Sequence, residues 1–143
     1  MKVQIDEFTI SDDKSMLDLD TILSFLSRSY WASGRSRERV VKSIKNSLCF
    51  GVYHGSNQIG FARVVTDDAT MYWLADVFID EQYRNQGIGK TFVETIVKSE
   101  RLKDLMGVLG TRDAHTLYEK FDYVRDDGRF MRRMPDYIRL KDN

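Results

Sequence analysis

Tyr83-Arg84-Asn85-Gln86-Gly87-Ile88-Gly89-Lys90 is the stretch on which the fold of this chain turns. An apolar run from Leu74 to Ile79 precedes it and reads as a strand. Thr91-Phe92-Val93-Glu94-Thr95-Ile96-Val97 follows it and reads as a helix. A strand, an Arg-x-x-Gly-x-Gly loop and a helix start present bare backbone N–H groups to an anion. Glycines let the backbone approach closely, and the first N–H groups of a helix have no partner inside it. The expected ligand therefore bears phosphate. Two common phosphate loops are excluded. A Walker loop has four residues between its glycines, whereas Ile88 alone separates Gly87 from Gly89. A dinucleotide fingerprint needs a further Gly or Ala three positions on, where this chain has Phe92. The repeated βαβ halves of a doubly wound sheet are also missing.

A second motif follows, with room for one helix and one strand between the two. It is Thr111-Arg112-Asp113-Ala114-His115-Thr116-Leu117-Tyr118-Glu119-Lys120-Phe121-Asp122-Tyr123. In this order the two motifs resemble those of the GCN5-related N-acetyltransferases (GNAT). That family's acyl-CoA loop has Arg or Gln, two residues, Gly, one residue, then Gly or Ala, matched at Arg84, Gly87 and Gly89. Its later signature is matched at Ala114, Leu117, Tyr118, Glu119, Lys120 and Tyr123. The resemblance runs over residues 48–133. It departs from the pattern twice. Asp122 replaces the usual glycine, in a left-handed position that tolerates Asp next best. Thr111 replaces a common Asn, so its hydroxyl would supply only part of that residue's cofactor hydrogen bonding.

The resemblance implies an α/β fold in one domain, residues 1–143. Its central mixed β-sheet would have about six to seven strands flanked by about four helices. The acyl-CoA cleft would open where two parallel strands, ending near Ile79 and Gly110, splay apart. Backbone groups of Val77, Phe78 and Ile79 would bind the pantetheine amides as an added strand would. The pyrophosphate would meet the loop Asn85, Gln86, Gly87, Ile88, Gly89 and Lys90. Arg84 would shape that loop, Thr91 would offer a hydroxyl, and Thr111 and Ala114 would complete the cofactor site. Lys90 reads equally as a phosphate partner or a solvated charge.

The activity implied is acetyl transfer from acetyl-CoA to a primary amine by direct attack, in an ordered ternary complex. Tyr118 matches the family's general-acid tyrosine. A phenol has a pKa near 10 and is protonated at neutral pH, which suits it to protonate a thiolate. Asp76 is unusual amid Leu74, Ala75, Val77 and Phe78, because a lone buried carboxylate is costly. It is a candidate general base or a brace for a loop. Tyr30 and Trp31, with Arg35, make an aromatic and cationic patch for the acceptor. Alternation along the strand puts Tyr72, Leu74, Asp76 and Phe78 on one face, so Tyr72 joins the acceptor candidates if Asp76 faces the cleft. The acceptor would be a small-molecule or peptide amine. A non-catalytic acyl-CoA sensor or interaction module is the alternative.

Composition narrows the rest. Lys plus Arg and Asp plus Glu number 22 each, so no general attraction to nucleic acid or to anionic membrane follows, and neither is expected as a partner. The basic residues Arg125, Arg129, Arg132, Arg133, Arg139 and Lys141 alternate with acids and aromatics. The N-terminus has no signal-peptide core, and no apolar run suffices to span a bilayer. Cys49, the single cysteine, sits in an apolar run and reads as a buried structural thiol. Without a disulfide, a reducing, cytoplasmic setting is expected. Two His and one Cys furnish no evident metal cluster. A monomer or homodimer is expected.

The predicted element order is β-α-α-β-β-β-α-β-α-β. A first strand covers Val3 to Thr9. A helix over 16–26 starts at Asp12, Asp13 or Ser15. A second begins at Ser36 and carries Val40, Val41, Ile44 and Leu48. Three strands follow, at 48–53, 58–66 and 70–79. Next come a helix over 87–100, a strand over 105–110 and a helix over 114–121. A hairpin turns at Asp126-Asp127-Gly128, between 123–125 and 129–131.

Overall fold

The computed structural model describes residues 1–139. Lys141 of the basic tail lies outside the described residues, as does the side chain of Arg139. The strands are β1 (Lys2–Ile5), β2 (Phe8–Ser11), β3 (Leu48–His54), β4 (Asn57–Thr66), β5 (Met71–Ile79) and β6 (Met106–Val108). They lie side by side in chain order in one sheet. Pairing is antiparallel as far as β5, and β6 joins β5 in parallel. The helices are α1 (Leu19–Ser27), α2 (Arg37–Lys45), α3 (Ile88–Val97), α4 (His115–Glu119) and α5 (Asp136–Arg139). The fold is thus the expected mixed α/β sheet with helices on both faces.

Each face buries its own apolar set. On one, Ile88, Phe92, Val93 and Ile96 of α3 and Tyr118 of α4 pack on Phe50, Val52, Ala62, Val64, Tyr72 and Leu74. On the other, Ile22, Phe25 and Leu26 of α1 and Val40 of α2 pack on Cys49, Phe61 and Phe78. Burial pushes the Cys49 thiol up to about 11, so it stays protonated and acts as a small apolar side chain.

Several elements differ from their sequence reading. The first strand is a hairpin, β1 and β2, turned by Asp6 at φ 51°. Asp13 caps a short 3-10 turn, Lys14–Met16, so α1 starts later, where the Asp18 carboxylate accepts from Thr21 N–H. Ser36 caps α2 as expected, accepting from Arg39 N–H, but Leu48 belongs to β3. The hairpin over 123–131 does not form. Tyr123 packs against the core, but beyond it Val124, Phe130 and Met131 stand 84%, 59% and 98% exposed, with no apolar burial to hold a strand.

Two irregularities in β5 position the site. Phe61 pairs with Phe78 and Arg63 with Ala75, so Asp76 and Val77 together oppose the single residue Ala62. This is a β-bulge, with Asp76 at φ 56°. It breaks the alternation. Tyr72 and Leu74 face α3, whereas Phe78, an even number of residues on, faces α1. The expectation that Tyr72 and Asp76 share a face therefore fails. The second irregularity is the short junction with β6. Met71, Tyr72 and Trp73 pair with Met106, Gly107 and Val108, and beyond them the pairing of the two parallel strands ends.

Candidate active site

The loop that follows β5 is shaped by its own backbone. The Asp80 carboxylate accepts from Gln82 N–H in a 3-10 turn, Glu81–Tyr83. Arg84 Nε then donates to Ile79 O at 2.8 Å, and its guanidinium lies 4.9 Å from the Phe78 ring centroid. Asn85 and Gly87 take left-handed conformations, φ 65° and 81°. Thr91 N–H, bonded to Gly87 O at 3.1 Å, is the first amide to close into α3. The amides of Ile88, Gly89 and Lys90 precede it, and no side chain caps this end. Such an end suits an anion. Gly87 is demanded by its φ, but Gly89 is not demanded by packing. A Cβ at Gly89 would lie 3.8 Å from Ile79 Cγ1, an ordinary contact. Its bareness leaves room for a ligand outside the fold. Lys90 is exposed beside it.

Past Trp73, the β6-facing backbone of β5 has no strand partner, and this stretch includes Val77, Phe78 and Ile79. On the other side of the opening, Thr111 Oγ accepts from Ala114 N–H at 3.0 Å and holds the entry to α4. That hydroxyl keeps its own O–H to donate. Tyr118 follows on α4, 9% exposed, its ring 5.9 Å from Tyr123 in an edge-on packing. Its hydroxyl has no hydrogen-bond partner among the described residues. Burial, aided by Tyr30 and Asp113, pushes its pKa up to about 12. Asp122 adopts φ 68°, the left-handed turn expected there. It brings Tyr123 OH to within 2.7 Å of Tyr72 OH. Tyr72 is thereby engaged on the α3 face, its hydroxyl held by Tyr123. Gly107 makes room for this pair, since a Cβ there would meet both hydroxyls inside contact distance.

The segment between α1 and α2 brings Trp31 and Arg35 together on Asp76. The indole Nε1 donates to Oδ1 at 2.9 Å. Arg35 Nη1 and Arg63 Nε both donate to Oδ2, at 2.7 and 2.9 Å. Only 2% of the Asp76 side chain is exposed. Burial alone would raise its pKa, but the two guanidiniums outweigh burial and hold it below the ordinary 3.8. The same segment reaches the far side of the opening. Tyr30 OH accepts from Arg112 N–H at 3.0 Å, and the Arg112 guanidinium sits 3.8 Å over the Tyr30 ring. Tyr30 and Trp31, in edge-on contact at 5.0 Å, thus bridge the parted strands.

Sequence reasoning missed Arg63 and Arg112. A lone charge inside the apolar run of β4 was the available signal for Arg63, of opposite sign to Asp76 on the next strand. Arg112 carried no comparable signal. No group of three or more His, Cys, Asp or Glu among the described residues could hold a metal, and no described helix is long and apolar enough to cross a membrane.

The comparisons with known proteins agree with the fold. A family model described as the acetyltransferase (GNAT) domain matches residues 45–125. A crystal structure from Xanthomonas campestris pv. campestris, assigned to the GNAT acetyltransferases, is 32% identical with TM-score 0.86, covering 92% of this chain and 96% of its own. A GNAT family acetyltransferase from Elizabethkingia anophelis with acetyl-CoA bound has TM-score 0.61 at 20% identity, covering 82% of this chain and 76% of its own. At that identity the likeness is one of fold. Among curated proteins, a Gibberella zeae protein bearing an acetyltransferase name is 24% identical over 63% of this chain and 62% of its own length. The chloroplastic GCN5-related N-acetyltransferase 2 of Arabidopsis thaliana is 30% identical over 48% of this chain. This chain matches 27% of that protein's length, so the alignments span less than two thirds of both curated relatives.

Proposed function

Since this chain belongs to the GNAT acetyltransferase family, we propose that it is an acetyl-CoA-dependent N-acetyltransferase acting on a primary amine by direct attack in an ordered ternary complex. The observation that carries this reading is the parting of β5 from β6 directly before an uncapped helix end. A pantetheine arm fits the first feature and a pyrophosphate the second. The amides of Gln86 to Lys90 hold the pyrophosphate, with Lys90 and the Thr91 hydroxyl beside them. Unpaired backbone groups of Val77 to Ile79 hold the arm as a strand would.

The acceptor enters on the side of Tyr30 and Trp31. It sheds one proton to water to become a neutral amine. Its nitrogen then bonds to the thioester carbonyl carbon as the carbon–sulfur bond breaks. Tyr118 donates its proton to the departing thiolate and takes up the proton that the nitrogen releases. With a pKa near 12, Tyr118 is fully protonated at neutral pH, and its hydroxyl is not committed elsewhere. Asp76 is a poor base, because three donors occupy its oxygens and its pKa is lowered. Its assigned role is to position Trp31 and the bulge.

Calorimetric titration with acetyl-CoA tests the reading first. Saturable binding is expected, and no binding at high micromolar concentration would sink it. Thiol release across an amine panel tests turnover. Tight binding without turnover on any amine would instead point to an acyl-CoA sensor.

A further inference from the structure

Arg35 and Arg63 share one carboxylate oxygen, so the cluster at Asp76 carries two positive charges against one negative. The arginine side chains are only 23% and 15% exposed, and neither meets another carboxylate among the described residues. A surplus charge held this far from water lacks a counterion. The two arginines differ in what they have left. Arg63 also donates to Ser47 Oγ at 3.2 Å, whereas Arg35 bonds through Nη1 alone. Arg28 shows a filled guanidinium in the same chain, gripping Glu81 through Nε and Nη2, each at 2.9 Å. The equivalent donors of Arg35 are free. Trp31, 39% exposed, shares the Asp76 carboxylate with Arg35, and Tyr30, 46% exposed, packs edge-on against Trp31.

We propose that Arg35 selects the acceptor: a small primary amine that also carries a carboxylate, gripped by the free side of the guanidinium. This rests on the acetyltransferase reading and adds the substrate class. A planar fork matches a carboxylate through two parallel hydrogen bonds, which a lysine cannot reproduce. The apolar faces of Tyr30 and Trp31 receive the rest of the molecule. The product is an N-acetylated amino acid, and the reaction needs no co-reactant beyond acetyl-CoA.

Matched pairs that differ only by the carboxylate provide the test: L-leucine against 3-methylbutylamine, and L-phenylalanine against 2-phenylethylamine. The wild type should favour the carboxylate-bearing member of at least one pair by about tenfold or more in kcat/KM, the scale of charged hydrogen bonds. Arg35→Gln should bring that ratio close to one while acetyl-CoA affinity stays within about twofold. Should Arg35→Gln fail to fold, Arg35→Lys keeps a cation on Asp76 and should still lose most of the preference. A binding measurement independent of turnover uses CoA-loaded protein, with N-acetyl-L-leucine expected to bind more tightly than N-(3-methylbutyl)acetamide. Equal or better use of both decarboxylated amines, or equal binding of those two amides, overturns the proposal and leaves the acetyltransferase reading standing. Failure to bind acetyl-CoA removes both.

Discussion

From Ile79 to Thr91 the chain presents mainly backbone to the proposed cleft; from Tyr30 to Arg35 it presents side chains. In the loop, φ angles at Asn85 and Gly87 and the open end of α3 aim amides outward. The segment between α1 and α2 works through an indole, a phenol and a guanidinium, each fixed by a distant residue. The first arrangement is general, since any phosphate meets the same amides. The second is particular, since its charge and outline depend on which side chains meet. On the proposed reading, one side of the cleft serves a common cosubstrate and the other a specific acceptor.

Five substitutions probe that contrast. The largest effect is expected at the centre of the side-chain half. Asp76→Ala leaves two guanidiniums facing each other and should cost about 3 kcal/mol or more in a urea melt, the scale of breaking a buried ion pair. A loss below about 1 kcal/mol would mean that water replaces the carboxylate cheaply. Tyr118→Phe comes next. Turnover should fall roughly ten- to a thousandfold with acetyl-CoA affinity little changed. Wild-type turnover in this variant would leave the acid unassigned. With the Tyr118 pKa near 12, the wild-type rate should rise with pH as the amine deprotonates and show no falling limb below pH 10.

In the backbone half, Gly89→Val should weaken acetyl-CoA binding about tenfold or more while stability changes by less than about 1 kcal/mol. Gly87→Val should lose both, because its φ of 81° strains a β-branched residue. Equal behaviour of the two variants would erase the distinction between a glycine kept for the turn and one kept for the ligand. The smallest effect is a slope. The lowered pKa of Asp76 means that the folded state binds its proton less readily than the unfolded state does. Its stabilisation is complete above the ordinary carboxylate range and is lost as pH falls through the folded value. Stability of Asp76→Asn, where it folds, should fall less steeply than wild type below pH 4; parallel curves would contradict the sign.

The backbone half was legible because its signals are contiguous. Arg84, Gly87 and Gly89 lie within one turn of chain, and the left-handed Asp122 and the Ser36 cap are equally local. Asp76 could be flagged as a misplaced charge, but its partners lie 45, 41 and 13 residues away, and no spacing rule joins them. The face of Tyr72 was misread for a related reason. The extra residue that upsets the alternation exists only in the pairing of β5 with β4. The hairpin over 123–131 failed in the other direction: a good local turn signal does not by itself make strands.

The three-pair junction of β5 with β6 has a practical consequence. Backbone N–H groups of Leu74 to Ile79 that point towards β6 have no strand to shield them in the free protein. Deuterium uptake at those positions should be fast without ligand and slow once an acyl-CoA arm takes the missing strand's place. Neighbouring amides that point towards β4 should stay protected throughout. The same strand would then record occupancy on one edge and supply its own reference on the other, with no label and no need to know the amine.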